Sequence, residues 1–133
     1  MLTVITFGTF DLFHIGHLNI LERAKKYGDR LVVGISSDEL NISKKNKAPV
    51  YSFENRKDII KGLRCVNSVF KEESLEDKKK YIIENNANLL IMGDDWEGKF
   101  DHLLEICNVI YLPRTPSIST TETVEKIIFL NTK

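Results

Sequence analysis

Strand-like and helix-like stretches alternate five times along this chain, and that order leaves few folds open. Residues 2–7 (LTVITF) read as a strand. Residues 17–28 (HLNILERAKKYG) read as a helix in which Leu18, Leu21 and Ala24 share a face and Gly28 marks the stop. Residues 30–37 (RLVVGISS) are apolar almost without interruption, the pattern of a strand buried on both sides. A polar, basic loop follows at 41–52, then a helix at 53–64 with Ile59, Ile60 and Leu63 turned inward. The last units are a strand at 65–72, a helix at 74–86, a strand at 88–95, a short helix at 99–107, a strand at 108–114 and a helix at 119–130. Ser74 with Asp77, and Ser119 with Glu122, have the spacing of capping boxes. Such alternation predicts a single α/β domain of Rossmann-like type over residues 1–133, a five-stranded parallel sheet with helices on both faces.

Composition agrees and excludes several classes of function. With 133 residues and 42% hydrophobic content, the chain has enough apolar side chains for one ordinary core. The 19 basic and 19 acidic residues cancel, which argues against a protein that coats nucleic acid. Cys65 and Cys107 show no metal spacing and read as reduced core thiols. The start, MLTVITF, lacks a basic leader, and no apolar run nears the ~20 residues of a membrane span, so a cytoplasmic protein with no membrane partner is expected.

In a parallel α/β sheet, ligands bind beyond the carboxyl ends of the strands. Every unusual stretch lies at such an end: GTFDLFHIGH, SKKNK, GDDWEG and RTPSISTT. The first places His14 and His17 at the start of a helix, where free amides and the positive end of the helix dipole favour phosphate. Gly8 and Gly16 allow close approach there. The two histidines add donors that can carry positive charge to successive phosphates of a nucleotide. A metal pair would need a third ligand, and no further His or Cys stands at a helpful spacing. In RTPSISTT, Arg114 offers a forked clamp for phosphate and Ser119, Thr120 and Thr121 offer hydroxyls at a helix start.

These stretches carry a resemblance. HIGH after GTFDLF is similar to the signature of the H-x-G-H nucleotidyltransferases. Together with DRLVVGIS, MGDDWEGKFD and VIYLPRTPSISTT it resembles the bacterial glycerol-3-phosphate cytidylyltransferase branch of that family along nearly the whole chain. The resemblance implies in-line attack of an acceptor phosphate on the α-phosphate of CTP, giving CDP-glycerol and pyrophosphate, with Mg²⁺ accompanying the CTP phosphates. It implies catalytic roles for His14, His17, Lys44 and Arg114. It implies a nucleotide site of Gly8, Thr9, Phe10, His14, Gly16, His17, Asp95, Arg114, Thr115, Ser119, Thr120 and Thr121. Lys44, Lys78, Arg56 and Arg64 would meet the acceptor, glycerol 3-phosphate, and Asp11 is a candidate metal contact. Trp96 packs on the base or fills the core edge.

A homodimer is expected from the family pattern, with the apolar stretch GLRCVNSVF as a face for it. Three positions depart from relatives: Ser117 where a glycine is common, Asn46 where a lysine is, and Leu75 where some carry a bulky aromatic. Alternative readings keep the chemistry and change the acceptor, to ribitol or another polyol phosphate or phosphoethanolamine, or keep nucleotide binding without turnover.

Overall fold

A computed structural model describes residues 1–115 and 119–131. Five strands, β1 (Thr3–Gly8), β2 (Arg30–Ser36), β3 (Ser68–Glu72), β4 (Leu89–Gly93) and β5 (Asn108–Leu112), form one sheet in the order β3-β2-β1-β4-β5. All neighbouring strands run parallel. The order reverses direction between β1 and β4, so a crevice opens beyond Gly8 and Gly93, the place where such sheets take ligands.

Two cores follow from the two-residue period of the strands. On one face Leu31, Val33 and Ile35 of β2 join Val4, Leu89 and Ile91, and α1 (Ile15–Lys25) and α3 (Phe53–Lys61) cover them with Leu21, Ala24 and Ile60. On the other face Ile5, Phe7, Val32, Leu90 and Met92 pack under Ile82 of α4 (Lys78–Glu84) and Leu103. The chain closes with α5 (Thr120–Asn131). Cys65 and Cys107 are free thiols, and burial pushes both above the usual thiol range.

Several expected boundaries shift for identifiable reasons. The stretch 41–52 is not all loop, because α2 spans Asp38–Lys45. Its start is set by Ser37, whose hydroxyl accepts the Leu40 N–H, and by Asp38 and Glu39 in the first turn. Its end is set by Asn46, held in the left-handed conformation at φ 58° that Asn tolerates better than lysine. The first helix begins at Ile15 and ends at Lys25, before Gly28. A Cβ on Gly28 would meet the Leu2 carbonyl at 2.7 Å, so that glycine serves chain approach rather than termination.

Ile59 is exposed, while Ile60 beside it is buried. The expected box at Ser74 is a tighter turn: Ser74 takes the Glu76 N–H, a 3₁₀ turn covers Leu75–Asp77, and Asp77 makes no side-chain cap. The expected helix at 99–107 is a 3₁₀ segment, Asp101–Glu105. At the last helix Ser119 does accept the Glu122 N–H. Ser117 lies outside the described residues.

Phe7 and Phe70 meet edge to face across β2, with ring centroids 5.7 Å apart, over Gly34. A Cβ on Gly34 would lie 2.6 Å from Phe7 and 2.7 Å from Phe70. Gly34→Ala should therefore displace both rings and lower stability by about 1–3 kcal/mol, read as a lower urea midpoint with an unchanged slope.

Candidate active site

The H-x-G-H turn is built by its own side chains. His14 is the N-cap of α1 in an extended conformation, and its Nδ1 accepts the Gly16 N–H at 3.0 Å. His17 Nδ1 accepts the His14 N–H at 3.2 Å, closing a reciprocal cap from two imidazoles. The rings stack with centroids 3.8 Å apart, and Phe10 and Phe13 each approach His17 at 5.5 Å. The expected glycine gap at Gly8 is filled by the Phe10 ring, which a Cβ there would meet at 2.8 Å.

This geometry corrects the charge expected of the histidines. Burial, with the neighbouring His14 ring, lowers His17 to about 4 against an opposing pull from Asp11. Burial and Arg114 lower His14. Both rings are neutral near pH 7, and since each Nδ1 accepts a backbone N–H, each proton resides on Nε2. His14 Nε2 is the one buried side-chain polar atom among the described residues without a hydrogen-bond partner. A buried donor without a partner marks a place for a ligand acceptor.

Around the turn the strand ends bring further groups. Beyond β5, Arg114 lies 3.4 Å from Asp95, which follows β4, and both are exposed. Thr115 accepts from Asn19 of α1 at 3.1 Å, and the Thr120 hydroxyl donates to the Asp11 carbonyl at 2.8 Å. Thr121 is exposed in the first turn of α5 beside Ser119. Trp96 is partly exposed against Phe100, with centroids 5.6 Å apart.

The expected acceptor residues separate into three classes. Lys44 sits in the last turn of α2, exposed overall. Desolvation of its ammonium lowers its pKa, with Lys45 and Lys78 adding to that and Glu72 opposing it. Lys78 is buried, its Nζ 2.5 Å from Glu72 and 4.6 Å from the centre of the Phe7 ring. Arg56 is buried completely and does not face the crevice. Its Nε donates to Tyr51 O, its Nη1 to Thr9 O and Ser36 O, and its Nη2 to Asp38 at 2.7 Å. Arg64 is exposed beyond the end of α3, three residues before Asn67, whose N–H bonds Leu31 at the start of β2. That is the end of the sheet opposite the histidines.

Thr9, expected at the nucleotide, spends its hydroxyl on Asn41 at 3.0 Å and accepts from Ser36 at 3.1 Å. Asn41, Ser36, Asp38 and Glu72 escaped the sequence reading. Ser37 followed by two acids was a helix-start signal that would have placed Asp38 and Asn41.

No group of three or more His, Cys, Asp or Glu gathers to hold a metal among the described residues. Asp11 is buried, and its carboxylate accepts Val50 N at 2.7 Å, Tyr51 N at 2.9 Å and Leu12 N at 3.1 Å. This donor set does not fit a protein-held Mg²⁺.

The chain matches the cytidylyltransferase-like family over residues 5–126. It is 54% identical over 127 residues to a glycerol-3-phosphate cytidylyltransferase of Bacillus subtilis, covering 96% of this chain and 98% of that one. It is 42% identical to a glycerol-3-phosphate cytidylyltransferase of Staphylococcus aureus, covering 96% of each. A lipopolysaccharide core biosynthesis protein from Thermoplasma volcanium shares the fold, with a TM-score of 0.72 at 24% identity over 86% of this chain and 98% of that one.

Two outcomes test the site. His14→Asn keeps an oxygen to cap Gly16 but removes the Nε2 donor, so folding should persist while kcat falls about 10²–10³-fold, read by steady-state kinetics beside circular dichroism. In an NMR titration the His17 ring should titrate near pH 4, far below the ordinary 6.5. The unfolded chain then binds more protons between those values, so His17 contributes stability above pH 6.5 that is lost as pH falls toward 4.

Proposed function

Because the chain belongs to the cytidylyltransferase-like family, we propose that it converts CTP and glycerol 3-phosphate to CDP-glycerol and pyrophosphate. The reading is supported by near full-length identity to two glycerol-3-phosphate cytidylyltransferases. The observation that carries it in the site is His14 Nε2, a buried donor without a protein partner at the mouth of a parallel sheet.

In this reading an oxygen of the acceptor phosphate attacks the α-phosphorus of CTP, and the bond to the β-phosphate oxygen breaks in line. The electron pair leaves with pyrophosphate, and no covalent enzyme intermediate forms. The chain contributes placement and charge stabilisation. Neutral His14 and His17 donate from Nε2 to the triphosphate, and the amides opening α1 complete the cradle. Arg114, the hydroxyls of Ser119 and Thr121 and the backbone N–H of Thr120, whose own hydroxyl is held by the Asp11 carbonyl, hold the β and γ phosphates. This group lies beside β1, β4 and β5, and Lys44 with the Glu72–Lys78 pair lies on the β3 side, which supports taking that side as the acceptor's. Mg²⁺ belongs to the substrate in this reading, arriving with the CTP phosphates.

A cytoplasmic homodimer completes the proposal. No helix among the described residues is long and apolar enough to cross a membrane. β3 is an edge strand, with half-buried Cys65, Val66 and Val69 at the rim as a face for a second copy. Light scattering should then give twice 15.3 kDa.

The deciding assay offers CTP or ATP with a panel of phosphorylated acceptors and measures pyrophosphate. CTP with glycerol 3-phosphate should lead by at least about tenfold in kcat/KM, roughly 1.4 kcal/mol of discrimination. Equal release with ATP would sink the cytidylyl assignment, and a faster ribitol phosphate or phosphoethanolamine would replace the acceptor.

A further inference from the structure

We propose that Asp11 is a positioning residue, not a metal ligand: it latches the nucleotide side of the site to the chain segment on the acceptor side. The inference rests on the two-substrate reading above and deepens it.

Asp11 joins three segments that are remote in sequence. Its carboxylate accepts the N–H groups of Val50 and Tyr51 at 2.7 and 2.9 Å, in the connection between α2 and α3. Its carbonyl accepts the hydroxyl of Thr120, at the start of α5, at 2.8 Å. It lies three residues before His14 on the loop that caps α1. The residues on either side of it, Phe10 and Leu12, have φ values of 54° and 49°. Residues with a Cβ adopt that left-handed conformation only where their surroundings enforce it.

The grip on Tyr51 comes from both sides of the residue. Asp11 holds its N–H, and Arg56 Nε holds its C=O at 3.0 Å. Arg56 Nη1 then returns to Thr9 O at 2.9 Å, two residues before Asp11. Thr9, Asp11, Tyr51 and Arg56 thus form a closed circuit of charge-assisted hydrogen bonds. Beyond it, Phe53 N donates to Asp38, the carboxylate paired with Arg56. The segment from Val50 to Phe53 is therefore fixed by side chains, whereas residues 44–48, with Lys44, Lys45 and Lys47, are exposed.

A triphosphate at His14, His17 and Thr120 would fix the Asp11 peptide from both ends. Through the carboxylate it would fix the far anchor of the lysine segment as well. Nucleotide binding and acceptor binding then share one ordering step, and the first ligand eases the second. Coupling of this kind commonly changes affinity by about 5–150-fold.

The test uses Asp11→Asn and Val50→Pro. The amide can accept through only one atom, so it leaves one of the two backbone donors unmatched. Val50→Pro removes a donor and leaves the carboxylate in place, which keeps the proposal testable if Asp11→Asn does not fold. Three readouts decide. Hydrogen exchange at Tyr51 should accelerate in both variants, and at Val50 in Asp11→Asn, while strand amides such as Leu90 keep their protection. The KM for glycerol 3-phosphate at saturating CTP should rise about tenfold, within the usual span of coupling, while the CTP KM measured at low glycerol 3-phosphate holds. The Mg²⁺ concentration for half-maximal rate should not move.

A raised Mg²⁺ requirement with residues 50 and 51 still protected would make Asp11 a metal ligand and overturn the proposal. Equal rises in both KM values with faster exchange throughout the sheet would make Asp11 a fold residue only, and also overturn it. An unchanged acceptor KM in Val50→Pro would do the same. Wild-type protein inactive on CTP would instead refute the functional reading, and the exchange measurement alone would then decide the latch.

Discussion

A buried guanidinium holds the working end of this molecule together. Arg56 has no exposed surface, and it spends its donors on three carbonyls and one carboxylate from three different stretches of chain. The carbonyls belong to Thr9 after β1, Ser36 at the end of β2 and Tyr51 before α3. A charge taken out of water is tolerable only when its hydrogen-bonding capacity is matched. The loops that supply those oxygens are thereby held in one arrangement, since moving any of them would leave the charge short of a partner. Arg, with its planar fork, suits this better than Lys. The residue expected to touch substrate instead sets where the loops of the crevice begin.

The same logic explains the histidine pair. A charged imidazole at a helix N-terminus would face the positive end of the helix dipole and a stacked partner ring 3.8 Å away. Stacking, burial and Arg114 all favour the neutral form. Each neutral ring uses Nδ1 to complete the cap of α1 and keeps an N–H at Nε2 for a ligand, so one residue type serves helix capping and anion binding with opposite edges. Serine or aspartate would cap as well, but neither has a donor at that second distance.

The alternation of strand and helix was legible because each element is amphipathic or continuously apolar on its own, and so was the crevice, because GTFDLFHIGH, GDDWEG and Arg114 each lie at the end of a strand. What escaped the sequence depends on tertiary proximity. Arg56 and Lys78 were expected to meet the acceptor, yet each is buried against a carboxylate, Asp38 lying 18 residues from the first and Glu72 six residues from the second. The protonation of the histidines was illegible for the same reason, since the Phe10 and Phe13 rings that dry His17 carry no local signature. α2 was missed because SKKNK was read for its charge, whereas the helix is decided earlier, by Ser37, Asp38 and Glu39.

These pairings bear on how two anions can be brought together without trapping stray ones. Arg114 faces Asp95, Lys78 faces Glu72 and Arg56 faces Asp38, whereas Lys44 makes no ion pair among the described residues. An anion that would use Arg114 or Lys78 must therefore outcompete a carboxylate already in place. A singly charged ion gains little from that exchange. In the proposed reading a triphosphate gains more, because it would meet Arg114, two imidazole donors and a row of free amides at once, so the cost of parting one exposed ion pair is spread over several new bonds. Discrimination then comes from the compensating carboxylates as much as from the cations. The buried Glu72–Lys78 pair sets a steeper threshold than the exposed Asp95–Arg114 pair, because separating charges in a dry setting costs more. In the proposed reading the two sides of the crevice are thus graded: the nucleotide side, with its exposed pair, yields readily, and the acceptor side, with its buried pair, resists until a dianion and Lys44 act on it together.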